Sequence, residues 1–173
     1  MQMSIEGSII MTMTINPPAS VDDAGFAVRR TVTIAAPPEK VWAAITEPRH
    51  LARWFGQRAE LPEVAVGARG TIGFDGYGDY PLRVEELDPP HVVAYRWSND
   101  DTTAPADLDA ADEVVFARST VFRFTLEPIP GGTSLTVVET GFDALTDPAA
   151  AMASNRSGWT SEIDELVAYA EAL

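Results

Sequence analysis

Aromatic side chains at alternating strand positions are the residues of this chain best placed to do chemistry, and the chemistry they suit is binding. Tyr95 and Trp97 stand two apart, as do Phe122 and Phe124, so each pair shares one face of its strand. With Trp54, Phe55, Phe74, Tyr80, Met152 and Trp159, they could line a cavity for a small apolar or amphipathic molecule. The competing reading is a plain hydrophobic core, because large rings usually fill space. Trp42 is assigned to the core outright. Two charged residues sit among the rings. Arg53 precedes Trp54 and is the candidate for an anionic head group. Glu139 shares a strand face with Leu135 and Val137; if that face looks inward, its carboxyl is buried in the way that makes acid–base residues. The run ends at Thr140-Gly141, so the expectation is a strand-end glutamate in solvent.

Other chemistries find little support. The chain has no cysteine, which excludes thiolate zinc sites, iron–sulfur clusters and cysteine nucleophiles. His50 and His91 are the only histidines, and neither belongs to an HxxxH or HxH spacing, so no metal and no cofactor is expected. Lys40, the single lysine, lies beside Glu39 and offers no Schiff-base environment. The string Gly73-Phe74-Asp75-Gly76-Tyr77-Gly78 reads as a hairpin turn rather than a phosphate cradle. Asn155-Arg156-Ser157 matches a glycosylation sequon but falls inside an expected helix and is discounted. Arg83, Arg96 and Arg123 lie in strands, where opposite-charge cross-strand pairs with residues such as Glu85 or Glu127 explain them without a ligand.

These side chains need elements to hold them. Val28 to Ile34 alternates and is β-branched, putting Val28, Arg30, Val32 and Ile34 on one face of a strand. Pro37-Pro38 introduces a helix through Ile45 that ends at Glu47-Pro48, and a second short helix, Arg49 to Phe55, is closed by Gly56. Strands follow at about 67–74, 80–87, 92–97, 119–126 and 135–138, separated by Gly- and Pro-rich turns. Past Pro148 the period changes to 3.6: Met152, Trp159, Ile163, Leu166, Val167, Ala170 and Leu173 make the stripe of one long amphipathic helix. Residues 1–27 read as a flexible tail and residues 28–173 as a single α+β domain.

At 173 residues the chain is long enough for a packed core without disulfides. Its formal charge of −14 repels phosphate backbones and anionic lipid, so neither nucleic acid nor membrane is an expected partner. No basic segment opens the chain, and a cytoplasmic location is expected. Residues 99–113 carry six carboxylates and no basic group, which predicts an exposed loop able to act as a lid or to meet a protein partner.

The run Ile34 to Pro48, then Leu51-Ala52-Arg53-Trp54-Phe55, resembles the opening of START-like (SRPBCC, helix-grip) proteins. Val84-Glu85-Glu86-Leu87-Asp88-Pro89-Pro90, Tyr95-Arg96-Trp97, Gly131 to Thr136 and Gly158-Trp159 are similar to the subgroup named for homology to the activator of heat-shock protein 90 ATPase. The resemblance implies a curved antiparallel sheet of about six to seven strands wrapped around the C-terminal helix, with a cavity between them. It also implies a non-enzymatic domain that binds a small hydrophobic molecule, or a chaperone-associated accessory protein. A polyketide cyclase or dehydratase-like enzyme is the alternative, with Tyr77, Tyr80, Tyr95, Arg53 and Glu139 as its available polar groups. A third reading is an interaction module whose core is filled.

Overall fold

A computed structural model of the chain describes residues 15–98 and 109–173. Its strands are β1 (Ser20–Asp22), β2 (Ala27–Ile34), β3 (Arg58–Glu60), β4 (Arg69–Phe74), β5 (Gly78–Asp88), β6 (Val92–Trp97), β7 (Thr120–Ile129) and β8 (Gly132–Thr140). Helices α1 (Pro38–Thr46) and α2 (Pro48–Trp54) follow β2, the short α3 (Asp112–Val115) precedes β7, and α4 (Pro148–Ala172) closes the chain. The strands form one antiparallel sheet in the order β1-β2-β8-β7-β6-β5-β4-β3. Pairing β2 with β8 leaves α1 and α2 to carry the chain from β2 to β3 at the opposite edge.

Alternation decides which face is buried. Along β2, Val28, Arg30, Val32 and Ile34 are buried while Arg29 and Thr31 are exposed, and the same rhythm runs through β7 and β8. A register shift between Val84 and Glu86 bends β5, as a bulge does. Helix α4 lies against the inner face, burying Met152, Trp159, Ile163, Leu166 and Ala170. Two members of the expected stripe differ: Val167 is half-buried and Leu173 is exposed, because both lie at its margin. Trp42 is also half-buried, packed on the edge of the core rather than inside it.

The sheet has one short strand at each edge beyond the six to seven expected, because three-residue strands carry too little alternation to be seen in sequence. The strand β1 also corrects the expected tail. Residues 1–14 lie outside the described residues, but residues 15–22 are laid along the domain. Asn16 exchanges two hydrogen bonds with the Thr33 backbone, the Ala19 N–H donates to Thr160 Oγ1, and Arg156 Nε donates to the Ala19 carbonyl. The buried Arg30 completes the attachment by donating to the carbonyls of Pro17 and Thr160 and pairing with Asp164. A strand-face arginine pointing into the domain was the available signal.

On the outer face, Glu85 is shared by Arg83 and Arg96. Partial burial opposes ionisation of Glu85, but hydrogen bonds from the two guanidinium groups outweigh it and hold the carboxyl below its ordinary range. Arg123 pairs with Glu86 rather than with Glu85 or Glu127. Of the acidic segment, residues 99–108 lie outside the described residues. Its other end is fastened to the outer face by Asp112, which meets Arg69 and Arg83, and by Phe116 beneath the Arg83 guanidinium at 5.0 Å.

Candidate ligand-binding site

The aromatic candidates divide into a filled core and a cleft. Phe122 lies 5.4 Å from Tyr95 and 5.3 Å from Trp159, centroid to centroid, so rings occupy the space between sheet and helix at that level. Trp54, Tyr95, Phe122, Phe124 and Met152 are all buried there. Their polar edges are satisfied internally: Trp54 Nε1 donates to the Ala44 carbonyl and the Tyr95 hydroxyl to that of Ile45. Burial pushes the Tyr95 phenol far above its ordinary range, which keeps it a neutral donor.

Against the middle of α4 the packing opens into a cleft lined by Phe55, Phe74, Trp97, Asn155, Gly158, Trp159 and Glu162. Its volume is about 110 Å³, and about 360 Å³ with the open mouth included. Phe55 reaches the cleft because α2 ends there and Gly56, at φ +82°, turns the chain where an added Cβ would lie 2.6 Å from the Gly73 carbonyl oxygen. Phe74 and Trp97 come from the ends of β4 and β6. Tyr80 packs on both, at 5.8 and 6.2 Å, without lining the cleft. Phe55 stacks on Trp159 at 5.5 Å with 14° between planes, so the floor is continuous ring surface.

Helix α4 supplies the remaining wall through residues 155, 158, 159 and 162, which are neighbours on one helical face. Gly158 makes the room: a Cβ there would meet no heavy atom within 4 Å. Asn155, Gly158 and Glu162 were not anticipated as site residues, although their spacing about Trp159 was a readable signal.

Glu139 is not in solvent. It is 0% exposed, because β8 continues one residue past it before Gly141 turns the chain and its register sets it opposite Val28 and Phe122 on the inner face. Its Oε1 accepts from Trp97 Nε1 at 2.9 Å and from Thr120 Oγ1. Its Oε2 accepts from Trp159 Nε1 at 2.6 Å, and Asn155 Nδ2 reaches both oxygens at 3.1 and 3.0 Å. The carboxyl therefore gathers two indole N–H groups, one amide and one hydroxyl. It stands behind the cleft wall and fixes the orientation of three residues that form it: Trp97, Asn155 and Trp159.

Glu162 is the titratable side chain on the cleft. Burial, reinforced by the charge of Glu165 one turn on, pushes its carboxyl up to about 7. Arg53, the expected anion contact, is exposed and does not line the cleft. No helix of the described residues is long and apolar enough to cross a membrane.

An antiparallel sheet closed over one long C-terminal helix, with an aromatic cleft where the two part, defines a helix-grip domain of the START-like class. The sequence profile of the Activator of Hsp90 ATPase homolog 1-like protein family matches residues 35–171, and the chain belongs to that family. Protein MLL2253 from Mesorhizobium loti is similar in structure, with 27% identity and a TM-score of 0.68 over 84% of this chain and 97% of that one. DynU16, from the dynemicin biosynthetic locus, has 26% identity and a TM-score of 0.64 over 84% of this chain, which spans only 47% of DynU16. The Aha1 dimer from Colwellia psychrerythraea shares the fold at 20% identity and a TM-score of 0.64, covering 84% and 96% of the two chains. No curated protein matches the chain in sequence.

Proposed function

We propose that this domain binds a small, largely apolar molecule in the cleft between α4 and the ends of β4 and β6. The observation that carries the reading is the cleft wall itself. Four aromatic residues from four separate elements face a space that Gly158 keeps open, whereas a domain built only to be stable would fill it. Glu139 supports the same reading. A buried carboxyl is a poor way to gain stability, but it is an effective way to lock two tryptophans and an asparagine in one arrangement.

Gly158→Leu tests this directly. Leucine is a good helix former and its side chain would occupy the cleft without touching the core. Binding of the neutral aromatic probe 1-naphthol, followed by saturation-transfer NMR, is expected for the wild type and lost in the variant, with the thermal midpoint maintained. Equal binding by both proteins would place the ligand elsewhere. Native mass spectrometry after mild purification would identify a retained molecule.

A second reading, an enzyme using the same cleft, is favoured by one observation: Glu162 lines the cleft with its carboxyl near 7, the range suited to proton transfer. In that case Glu162→Gln would abolish turnover of the bound molecule while leaving its affinity intact.

A further inference from the structure

The polar atoms of the cleft wall are uneven in kind. Trp97 and Trp159 would ordinarily offer indole N–H donors to a ligand, yet both N–H groups are turned back to Glu139. The Asn155 amide nitrogen is likewise committed to the two Glu139 oxygens, which leaves its Oδ1 as the uncommitted end. The cleft therefore presents ring bodies, an amide oxygen and the Glu162 carboxyl, with no side-chain donor among its lining residues once Glu162 is ionised. No cation answers that carboxyl among the described residues. The groups facing it from α2, β4 and β6 are Phe55, Phe74 and Trp97, and its charged neighbour on α4 is Glu165, of the same sign.

From this wall, which rests on the cleft being a binding site, we infer that the ligand is an organic cation, an amine in its protonated form, whose ammonium group meets Glu162 and Asn155 Oδ1 over the faces of Trp97 and Trp159. Ring faces attract cations through their quadrupole, indole most strongly, and the attraction grows when water is excluded. Acceptors without donors select the same species: an ammonium brings its own N–H groups, while a carboxylate or phosphate ligand would find nothing to accept from and would face Glu162. The chain's charge of −14 raises the local concentration of cations and lowers that of anions. The small enclosed volume suits a compact head group, with any longer body running out through the mouth. Glu162 is thus a counter-ion that desolvation keeps partly protonated until a cation arrives, so binding releases a proton near neutrality.

Three probes with one body and three charges decide the matter: benzylammonium, benzyl alcohol and benzoate, titrated into the ¹⁵N-labelled protein while the indole N–H signals of Trp97 and Trp159 are followed. At about pH 8, benzylammonium is expected to bind roughly tenfold more tightly than benzyl alcohol, and benzoate not at all. Benzylammonium keeps its own proton down to acidic pH, so a further loss of about tenfold at pH 5.5 would report protonation of Glu162. Glu162→Gln should cut the preference for benzylammonium to the small part that the ring faces and Asn155 Oδ1 supply and remove the pH dependence, with both indole signals unmoved in the free protein. Benzyl alcohol binding as tightly as benzylammonium to the wild type would overturn the cation assignment while leaving the cleft as a binding site. Binding of none of the three would overturn both. A preference for benzylammonium that is undiminished in Glu162→Gln would overturn the role given to this carboxyl.

Discussion

Replacing Glu139 is the perturbation for which the structure sets the clearest magnitude. Glutamine has nearly the same shape but only one oxygen. If that oxygen takes the Oε2 position, it keeps the bond from Trp159 and one from Asn155. The new NH₂ group then confronts the Trp97 N–H, which cannot accept, and the Thr120 hydroxyl, which can rotate and accept. The Trp97 N–H keeps its second acceptor, Thr120 Oγ1 at 3.0 Å, but now faces an NH₂ that cannot accept, so Glu139→Gln should destabilise by about 2 kcal/mol. Glu139→Leu leaves Trp159, Asn155 and Thr120 without this acceptor and Trp97 with Thr120 Oγ1 alone, and should cost more than about 4 kcal/mol, a large part of the stability of an ordinary domain. At roughly 2–4 °C per kcal/mol for a domain of this size, the glutamine variant should melt about 4–8 °C below the wild type. Thermal and urea transitions followed by far-UV circular dichroism measure this without relying on tryptophan emission. Indole N–H shifts at Trp97 and Trp159 report the site itself. A second test removes a donor together with the acceptor: Trp159→Phe in the Glu139→Leu background should cost less than in the wild type, because no N–H is left unpaired. A glutamine variant within about 0.5 kcal/mol of wild type, or a leucine variant no worse than glutamine, would refute the account of Glu139 as the shared acceptor of the wall.

Three further outcomes are expected. Gly158→Ala should raise stability by about 0.5–1 kcal/mol in urea titrations, since the helix gains a better former and the added Cβ meets no atom within 4 Å. Glu162 carries a raised folded-state value of about 7 against 4.5 unfolded, so the unfolded chain gives up its proton first and stability falls as pH rises from about 4.5 to 7. Glu162→Gln should flatten that slope and be the more stable protein at pH 8 by at most about 2 kcal/mol, after discounting for the water that reaches a half-buried group. Arg30→Met removes a buried guanidinium that ties the Pro17 and Thr160 carbonyls together. It should cost about 2–4 kcal/mol, since two carbonyls lose their donor while Asp164 stays in water, and expose the segment preceding β1 to limited proteolysis, whereas Arg123→Ala, which breaks an exposed pair with Glu86, should cost under about 1 kcal/mol.

The amino-acid sequence by itself determined the longer elements and their faces. Alternation in 28–34 and 119–126, proline at the start of α1, and the 3.6-residue stripe from Met152 to Ala170 are local signals, and each survives in the structure because side-chain direction follows from backbone period. The family was legible for the same reason, through short runs such as Leu51 to Phe55. What only the tertiary structure decided is which aromatic residues are core and which are wall. Tyr95 and Trp97 share a strand face and both pack on Phe122, yet only Trp97, at the end of β6, reaches the cleft, and sequence alternation carries no information about position along the helix that packs there. Glu139 shows the same limit more sharply. Its face was readable, but its burial depended on four donors arriving from β6, β7 and α4, so a residue that local pattern places at a strand end in water became the buried point around which the candidate site is built.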